Sequence, residues 1–396
     1  MISVSEATAI ILSHSIKTGA EEIPIQEACG RVLGEEVKAD RDFPPFDRVS
    51  MDGIAIAYAA WAAGNREFKV EGIQAAGQQP KKLNHPTSCL EVMTGAMLPE
   101  GTDTVIPYEN LEIQGQQVKV QAIAIEKGDC IHRQGLDAKR NEVLLSPGLT
   151  ISAAEVALMA AVGRKKITVS SFPKVAIIST GDELIPVDLI PLPYQIRRSN
   201  SYALQAALRT LGCPADQFHL PDHAETLHLE VKKILDHYPV IIFTGGVSKG
   251  KYDFIPQTLD RNGIQKRFHE VSQRPGKPLW FGTSSQHVVF ALPGNPVSTY
   301  MCFYRYIKPW LLKSLGAELR TLQAILATPY SFKPNLTYFL QVSVRNEHGK
   351  LFAHPVTGGG SGDFANLKLV DGFLELPAGI TDFKAGDSYD YFSFRS

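Results

Sequence analysis

Short apolar runs without polar alternation recur through the middle of the chain. Such runs are typical of strands buried on both faces, and they occur at Lys174–Ser179, Val240–Thr244 and Gln286–Leu292, with a weaker one near Gln217–Leu220. Between them, the spacing of apolar residues predicts helices at 201–211, 225–237, 254–261 and 297–312. This β-α-β rhythm predicts a doubly wound α/β domain with a parallel sheet and right-handed crossovers.

The segments on either side show other patterns. Ser3 and Glu6 form a capping box ahead of an apolar-periodic stretch, which predicts an N-terminal helix. Ser152 and Glu155 predict a second helix at 152–161 in the same way. The chain between these helices has short β-like runs at Phe68–Val70, Glu91–Met93, Thr104–Ile106 and Gln117–Val120. After Gly316, short strands are predicted at Tyr338–Val344, Leu351–Ala353 and Gly372–Leu376.

These patterns divide the chain into four parts. We predict a helical and linker part at 1–42 and 140–172, with a β-rich domain at 43–139 inserted into it. The α/β domain covers 173–318, and a small β domain covers 319–396. The predicted fold class is therefore a multidomain combination of α/β and β.

Composition and charge narrow the class of protein. The 396 residues are 44% hydrophobic and 20% charged, as expected for a globular protein of several domains. The formal net charge of -1 gives no support for a general nucleic-acid or membrane-surface binder. The N-terminus lacks the features of a secretory signal, so we expect a cytoplasmic protein. The five cysteines are scattered and form no CxxC pair, which argues against a zinc site or a disulfide framework.

Two loops that follow predicted strands contain glycines and acids. Ser179–Glu183 has the sequence STGDE, whose glycine permits a tight turn and whose hydroxyls and N–H groups can face an anion. Asp182 and Glu183 offer the oxygen ligands that Mg²⁺ prefers. Thr244–Gly250 has the sequence TGGVSKG, with Asp253 beyond it. It matches neither the P-loop nor the dinucleotide fingerprint, so NTPase and dehydrogenase functions lose their main support. Taken singly, each loop is also compatible with an ordinary structural turn.

Two further loops supply positive charge and rigid backbone. Arg274–Pro278 (RPGKP) places two cations on a turn fixed by its prolines, so little entropy is lost when they meet an oxyanion. A solvated basic turn is the alternative. Leu292–Ser298 (LPGNPVS) leads from a buried strand into a helix start, where free N–H groups can face a ligand. Since the crevice of an open α/β sheet lies at the carboxyl ends of its strands, the four loops together predict a site for a phosphate-bearing small molecule.

Two loops of the N-terminal half complete the set. Phe43–Gly53 is rigid and ends in an Asp-Gly pair, where Asp52 alone would be a turn former. Met93–Asp103 follows a short predicted strand. In chain order, the segments PPFDRVSMDG, MTGAMLPEGTDTVI, STGDEL, TGGVSKGKYD, RPGKP and LPGNPVS resemble molybdopterin molybdenumtransferase, the family that includes the E domain of gephyrin. The resemblance spans nearly the whole chain, and six collinear motifs make it specific.

The resemblance implies an architecture and an activity. The α/β domain would be the molybdopterin-binding domain, and the C-terminal domain would resemble a small β-barrel. The family implies homodimers whose active sites form between subunits. The implied reaction inserts molybdate into adenylylated molybdopterin, with Mg²⁺-dependent release of AMP. A separate adenylyltransferase is an implied partner, and neither nucleic acid nor membrane is expected.

The resemblance also implies roles for single residues. The implied catalytic acids are Asp52, Asp137, Glu183 and Asp253, of which Glu183 and Asp253 would also hold Mg²⁺; Asp222 is a weaker candidate. The implied molybdate ligands are Arg274, Lys277 and Ser361. The other implied substrate-binding residues are Thr94, Gly95, Ser179, Thr180, Gly181, Asp182, Ser199, Asn200, Gly245, Gly246, Ser248, Pro293, Gly294, Asn295 and Pro296. Because Asp52 and Asp137 lie far from the α/β domain in sequence, we expect another domain, from the partner subunit, to complete the crevice.

Several positions depart from the family pattern. Leu136 stands before Asp137 where an acid is usual, and an Arg-x-Glu-Phe-like segment begins here with Leu336. Three other departures, Arg198, Lys249 and Lys251, add positive charge near the predicted ligand. One hypothesis is a more cationic pocket that depends less on Mg²⁺, so that Lys251→Glu would raise the Mg²⁺ requirement. Lysines on a solvated helix start are the alternative.

These departures leave two other functions to weigh. A scaffold or molybdopterin-binding protein of the same fold, altered in catalysis, is the main alternative. Retention of Asp52, Glu183, Asp253 and Lys277 argues against it. A nucleotide or pterin amidohydrolase built on the same α/β domain is a third hypothesis, and the N-terminal motifs argue against that one.

Overall fold

The computed structural model describes residues 1–122, 124–247, 254–358, 360 and 362–395. The chain forms two compact units. We call the first the major unit; it comprises Met1–Gly34, Pro147–Ser152 and Ile167–Ser396. The second, the inserted unit, comprises Glu35–Ser146 and Ala153–Lys166. Within the described ranges, no helix is long and apolar enough to cross a membrane.

The major unit begins with the predicted N-terminal helix, α1 (Val4–Ser13). The capping box is confirmed, because the Glu6 N–H donates to Ser3 Oγ at 3.1 Å and the Ser3 N–H donates to Glu6 Oε2 at 2.7 Å. Val4, Ala7 and Ile11 form its buried face and pack into the core of the α/β domain. Strand β1 (Ala20–Pro24) and a short 3₁₀ helix (Ile25–Glu27) follow.

The inserted unit is built on a six-stranded sheet. Its strands and helices are β2 (Val37–Lys38), β3 (Arg48–Val49), β4 (Gly53–Ile56), α2 (Tyr58–Ala62), β5 (Glu67–Gln74), β6 (Ser88–Val92), β7 (Thr104–Pro107), β8 (Leu111–Gln114), β9 (Gln117–Val120), β10 (Ile131–His132), β11 (Val143–Leu145) and α3 (Ala153–Ala161), with a 3₁₀ helix at Tyr108–Asn110. The sheet has the order β7-β4-β6-β5-β9-β8. Gly53 at the start of β4 is required by close backbone approach, since a Cβ there would lie 1.9 Å from the Ile106 carbonyl oxygen.

The α/β domain of the major unit contains the predicted apolar strands. After β12 (Lys166–Ser170), which pairs with β1, its elements are β13 (Val175–Thr180), β14 (Leu184–Ile185), β15 (Ile196–Arg197), α4 (Asn200–Thr210), β16 (Ala215–Leu220), α5 (Ala224–Leu235), β17 (Val240–Thr244), α6 (Ile255–Arg261), β18 (Gln265–His269), β19 (Gln273–Arg274), β20 (Trp280–Thr283), β21 (Val288–Leu292), α7 (Pro296–Cys302) and α8 (Lys308–Ser314). The main sheet has the order β16-β13-β17-β21-β20-β18. Helices cover both faces, because separate apolar clusters lie on its two sides.

The sheet is parallel over four strands and antiparallel at one edge. Strands β16, β13, β17 and β21 are parallel, as predicted. Strand β20 runs antiparallel to β21, and β18 antiparallel to β20. Residues 265–269 have the sequence QKRFH, with one fully buried side chain, so this edge strand has too weak an apolar pattern to be predicted. The predicted fold class is confirmed, with this antiparallel edge added.

The helix predicted at 297–312 is interrupted. α7 ends at Cys302, a π-helical turn covers Phe303–Ile307, and α8 begins at Lys308. Pro309 in the first turn of α8 has no N–H to donate, and its ring would collide with the carbonyl of residue 305 in a regular helix. A wider π turn at this point relieves that conflict.

The C-terminal domain is a closed barrel, as predicted. Its strands are β22 (Leu322–Leu326), β23 (Tyr330–Ser331), β24 (Thr337–Glu347), β25 (Lys350–Pro355), β26 (Gly372–Leu376), β27 (Asp382–Phe383) and β28 (Ser388–Ser393), with a 3₁₀ helix at Phe364–Leu369. The order β24-β25-β22-β28-β26 closes through a further pairing of β26 with β24. Strand β19 of the α/β domain also pairs with β24, in parallel. The finer four-part boundaries stay a prediction.

Candidate functional site

The four predicted loops of the α/β domain line one cavity of about 480 Å³. Its walls are Thr180, Gly181, Glu183, Asp222, Gly245, Gly246, Gln273, Arg274, Pro275, Gly276, Lys277, Pro278, Pro293, Gly294, Asn295 and Ser298. Three of the loops follow the carboxyl ends of β13, β17 and β21. The fourth precedes β20, whose first residue, Trp280, pairs with Ala291 near the end of β21. The antiparallel direction of β20 therefore brings the basic loop to the same sheet edge.

The glycine loop after β17 approaches the end of β13 very closely. Gly245 and Gly246 have φ of 95° and 66°, in the region that favours glycine. A Cβ on Gly245 would lie 3.0 Å from the Thr180 carbonyl oxygen, and one on Gly246 would lie 2.8 Å from Thr180 Oγ1. The Gly245 N–H donates to the Leu292 carbonyl at 3.1 Å, which ties this loop to the end of β21.

Thr180 contributes a hydroxyl to the cavity wall. The residue is only 3% exposed, and within the described ranges its Oγ1 has no hydrogen-bond partner. A buried hydroxyl without a partner costs free energy, so the site favours a ligand that supplies one. Ser179, predicted as a substrate ligand, is engaged elsewhere: its Oγ lies 3.2 Å from the Phe218 carbonyl, to which it can donate, and 3.1 Å from His219 Nδ1.

Among the residues that the structure describes, the acids that line the cavity are Glu183 and Asp222. Glu183 is exposed, and its carboxylate oxygens would lie 2.7 and 2.8 Å from a Cβ on Gly181. The predicted ligand Asp182 instead accepts a hydrogen bond from the Asp222 N–H at 3.2 Å. Across the described residues, no group of three or more His, Cys, Asp or Glu side chains is placed to hold a metal. Two carboxylates fit Mg²⁺, which binds through one or two of them together with substrate phosphates.

The basic loop contributes two cations. Arg274 and Lys277 are exposed and lie three residues apart on the turn. The Lys277 carbonyl accepts from the Val271 N–H at 2.9 Å, which closes the base of the turn. Arg274 pairs in register with Tyr338 of β24, so the barrel supports the loop from its other side. Two fixed cations at a concave surface are suited to an oxyanion.

Asn200, at the start of α4, joins two of the loops. Its Nδ2 donates to Thr244 Oγ1 at 2.9 Å and to the Gly294 carbonyl at 2.8 Å. Its amide therefore holds the ends of β17 and β21 together. Ser199, Asn200 and Pro296, predicted as substrate ligands, line a second, adjoining cavity of about 330 Å³.

The last loop is fixed by the residue that follows it in α7. Thr299 Oγ1 donates to the Pro293 carbonyl at 2.5 Å, and the Thr299 N–H donates to the Asn295 carbonyl at 3.0 Å. Pro296 at the helix start has no N–H to leave unsatisfied. The Pro-Gly-Asn-Pro segment is therefore held rigidly from the helix side.

Arg198 is the one charge-adding departure within the described residues. It is half-buried, and its Nε has no hydrogen-bond partner in the ranges that the structure describes. Burial, together with the Arg198 charge, lowers the pKa of His219. The other two departures, Lys249 and Lys251, lie outside the described residues, as do the predicted site residues Ser248, Asp253 and Ser361. The hypothesis of reduced Mg²⁺ dependence stays a prediction.

The inserted unit contains the predicted pair Asp52 and Thr94. Asp52 Oδ1 accepts from the Thr94 N–H at 2.6 Å and from Thr94 Oγ1 at 2.7 Å. These two hydrogen bonds lower the pKa of Asp52, with the backbone bond the larger cause. Gly95, with φ of 86°, turns the chain so that its N–H reaches the Val49 carbonyl at 2.9 Å. Asp52 is therefore an exposed carboxylate held in its ionised form.

Asp137 lies on a second loop of the inserted unit. Its carboxylate is 2.8 Å from His132 Nε2, and His132 Nδ1 is 3.1 Å from a guanidinium nitrogen of Arg48. Arg48 and His132 face each other in the β3–β10 pair. Leu136, a departure from the family pattern, is 69% exposed. The His132 ring links the Asp137 carboxylate to the Arg48 guanidinium.

Sequence reasoning missed two residues near the cavity. Gln273 is fully buried and lines the cavity behind the basic turn. His219 bonds Ser179 beneath the sheet edge. Gln273 adjoins the predicted RPGKP motif, but a single glutamine before a basic turn gave no signal of burial. His219 lies in β16, whose apolar pattern is weak.

Family models, relatives and solved structures all indicate the same family along nearly the whole chain. The family models that match are the MoeA N-terminal region (domain I and II) over residues 2–163, the "Probable molybdopterin binding domain" over 176–313 and the MoeA C-terminal region (domain IV) over 323–394. A Synechocystis relative named molybdopterin molybdenumtransferase is 38% identical over 100% of both chains. A Bacillus subtilis relative of the same name is 31% identical over 97% of this chain and 92% of its own. The crystal structure of the molybdopterin biosynthesis MoeA protein from Pyrococcus horikoshii OT3 has a TM-score of 0.85 and 27% identity, with 100% of both chains covered.

Proposed function

The chain belongs to the molybdopterin molybdenumtransferase family, and we propose that it inserts molybdate into adenylylated molybdopterin and releases AMP. It is therefore an enzyme of molybdenum cofactor biosynthesis. The observation that supports the proposal best is the cavity at the strand ends, which combines glycine loops, two cations and a buried hydroxyl that has no hydrogen-bond partner among the described residues. Both reactants are rich in anionic oxygen, and these are the groups that bind such oxygens.

The residues divide into three tasks. The glycine loops and Thr180, with Pro293, Gly294 and Asn295, bind the phosphate-bearing part of the substrate. Arg274 and Lys277, together with Ser361, bind molybdate. The carboxylates Asp52, Asp137, Glu183 and Asp253 serve the cleavage of the adenylate. Charge-assisted hydrogen bonds to the leaving phosphate would stabilise the negative charge that develops there.

Glu183 and Asp253 would hold Mg²⁺, and the second cavity carboxylate, Asp222, adds to the same donor set. When bound, the ion supplies positive charge that neutralises the phosphoanhydride oxygens. Arg274 and Lys277 bind molybdate, the other oxyanion. Since Glu183 lines the cavity and is proposed to hold Mg²⁺, its loss should reduce turnover most.

Three finer features belong to the same proposal. We propose a homodimer in which Asp52 and Asp137 of the inserted unit serve the cavity of the partner subunit. We propose a cytoplasmic location, where an adenylyltransferase can hand over its product directly. Sedimentation analysis of the purified chain tests the first: a dimer is expected, and a monomer at assay concentration would contradict it.

The proposed reaction is tested by single-turnover assay. The protein is incubated with adenylylated molybdopterin, molybdate and Mg²⁺, and AMP and active molybdenum cofactor are measured. AMP release that depends on molybdate supports the proposal. Binding of the adenylylated substrate without AMP release would contradict it and favour a scaffold of the same fold.

A further inference from the structure

A buried amide lies behind the turn that contains Arg274 and Lys277. Gln273 is 0% exposed, and its Nε2 donates to the Gly276 carbonyl at 2.9 Å. The bond spans the turn between the two cations. Opening the turn would break this bond, so that the Gly276 carbonyl would lose its donor and Gln273 Nε2 would keep a weaker bond to Cys302 Sγ at 3.8 Å.

Tyr306 completes the hydrogen bonding of this amide. The Gly276 carbonyl can only accept, so Nε2 of Gln273 must face it and Oε1 must face the other way. There, Oε1 accepts a hydrogen bond from the Tyr306 hydroxyl. Tyr306 is 1% exposed, and burial raises its pKa well above the usual value, so the hydroxyl keeps its proton for donation. The tyrosine therefore satisfies the amide oxygen in the orientation that closes the turn.

The position of Tyr306 depends on the π turn. Tyr306 lies within Phe303–Ile307, the π-helical segment, and such segments are frequent at functional sites. Gly276 packs against the same helix: a Cβ on it would lie 2.8 Å from Cys302 Sγ and from Met301 Cε. The basic turn thus has no room to shift towards the helix.

We propose that Gln273 and Tyr306 are positioning residues that hold Arg274 and Lys277 in one geometry, so that both cations meet a single oxyanion. The identity of that oxyanion as molybdate rests on the proposed function. Neither residue touches the anion; they act through the turn. The bond network is separate from the glycine loops, so the adenylylated substrate should be bound independently of it.

The first test is Tyr306→Phe, which removes one hydroxyl and preserves the ring. We expect the KM for molybdate to rise about tenfold, the effect of one buried hydrogen bond, while the KM for adenylylated molybdopterin stays within error. Tyr304→Phe is the matched control. Tyr304 lies on the same π turn and is 8% exposed, but its hydroxyl is 3.4 Å from that of Tyr300. Equal effects of the two variants, or equal changes in both KM values, would overturn the proposal.

A double-mutant cycle tests whether the hydroxyl acts through the amide. In a Gln273→Met background, Tyr306→Phe should produce no further rise in the KM for molybdate. Thermal unfolding of each variant checks that the major unit is folded. Additive effects of the two substitutions would show that Tyr306 acts by another route and would overturn the mechanism.

Hydrogen–deuterium exchange of the segment 272–278 separates this inference from the proposed function. Faster exchange in Tyr306→Phe, but not in Tyr304→Phe, supports the positioning role even if the wild-type chain releases no AMP. Equilibrium dialysis with molybdate alone then measures whether the loosened turn binds the oxyanion more weakly. Unchanged exchange with unchanged molybdate binding would overturn the inference while leaving the proposed function intact.

Discussion

The cavity of the major unit and the loops of the inserted unit present charge in different ways. In the cavity, close-packed glycine loops, the Thr180 hydroxyl and the cations Arg274 and Lys277 line a concave space. In the inserted unit, Asp52 and Asp137 stand exposed at the surface. Asp52 accepts a hydrogen bond from the Thr94 side chain, and the Asp137 carboxylate lies 2.8 Å from His132 Nε2.

The two regions differ because their charged groups have different tasks. An oxyanion needs several donors at fixed distances, so the backbone that presents them must be rigid. An ionised carboxylate needs only to keep its charge, and two hydrogen bonds to Asp52 do that without burial. We infer that the major unit supplies recognition together with the carboxylate of Glu183, and that the inserted unit adds the carboxylates of Asp52 and Asp137 to the reaction.

The largest expected effect comes from Glu183, an acid that lines the cavity and is proposed to hold Mg²⁺. Glu183→Gln should reduce AMP release about a hundredfold or more, because the amide cannot replace the charge needed beside Mg²⁺. Asp188→Asn, an exposed acid five residues further on, is the control and should change little. Nearly equal rates in both variants would remove Glu183 from the proposed chemistry.

The rigidity of the glycine loop can be tested next. Gly245→Ala places a Cβ 3.0 Å from the Thr180 carbonyl at φ of 95°, and we expect a loss of about 2–3 kcal/mol in the free energy of unfolding. Gly263→Ala has φ of 75° with no atom within 4 Å, so about 1 kcal/mol is expected. Urea unfolding measures both. If the two losses were equal, close packing of the loop would not be the constraint.

A smaller effect is expected from Asn200, which links the ends of β17 and β21. Asn200→Ala removes the bonds to Thr244 and Gly294 and should cost about 1–2 kcal/mol in unfolding free energy. The KM for adenylylated molybdopterin should also rise. Asn262→Ala loses bonds to Thr258 and His228, away from the cavity. The Asn262→Ala control should lower the free energy of unfolding without changing the KM. If the KM rose in both variants, lost stability alone would explain the rise in Asn200→Ala.

The smallest effect concerns Asp52. Its folded pKa lies below the usual 3.8, so its contribution to stability is present above that value and is lost as pH falls through the folded pKa. Thr94→Val removes the side-chain bond and should raise the pKa towards 3.8, as followed by NMR titration of the carboxyl carbon. Thr102→Val, which removes a buried hydroxyl bonded to Pro99 in the same unit, should leave it unchanged. A pKa that does not move in Thr94→Val would contradict the contribution of the side-chain bond, since valine keeps the backbone bond.

The sequence predicted the parts of the fold that depend on local pattern. The Ser3–Glu6 capping box, the apolar strands and the four loops of the cavity were all found from residue spacing. The π turn was not, because its cause is the conflict between Pro309 and the helix that the apolar period predicts. Gln273 was missed because its burial depends on Tyr306, which lies 33 residues away. Contacts of that kind are set by tertiary packing and have no local signal.

The assignment of the two regions to one reaction can be tested by mixing variants. Asp52→Asn and Glu183→Gln chains, each inactive alone, are mixed, allowed to exchange subunits and assayed for AMP release. If each site uses Glu183 of one chain and Asp52 of its partner, mixed dimers retain one intact site and the mixture recovers about a quarter of wild-type activity. If dimers exchange but no activity returns, the two acids do not act across subunits, and the account of a site shared between the two regions of different chains is wrong.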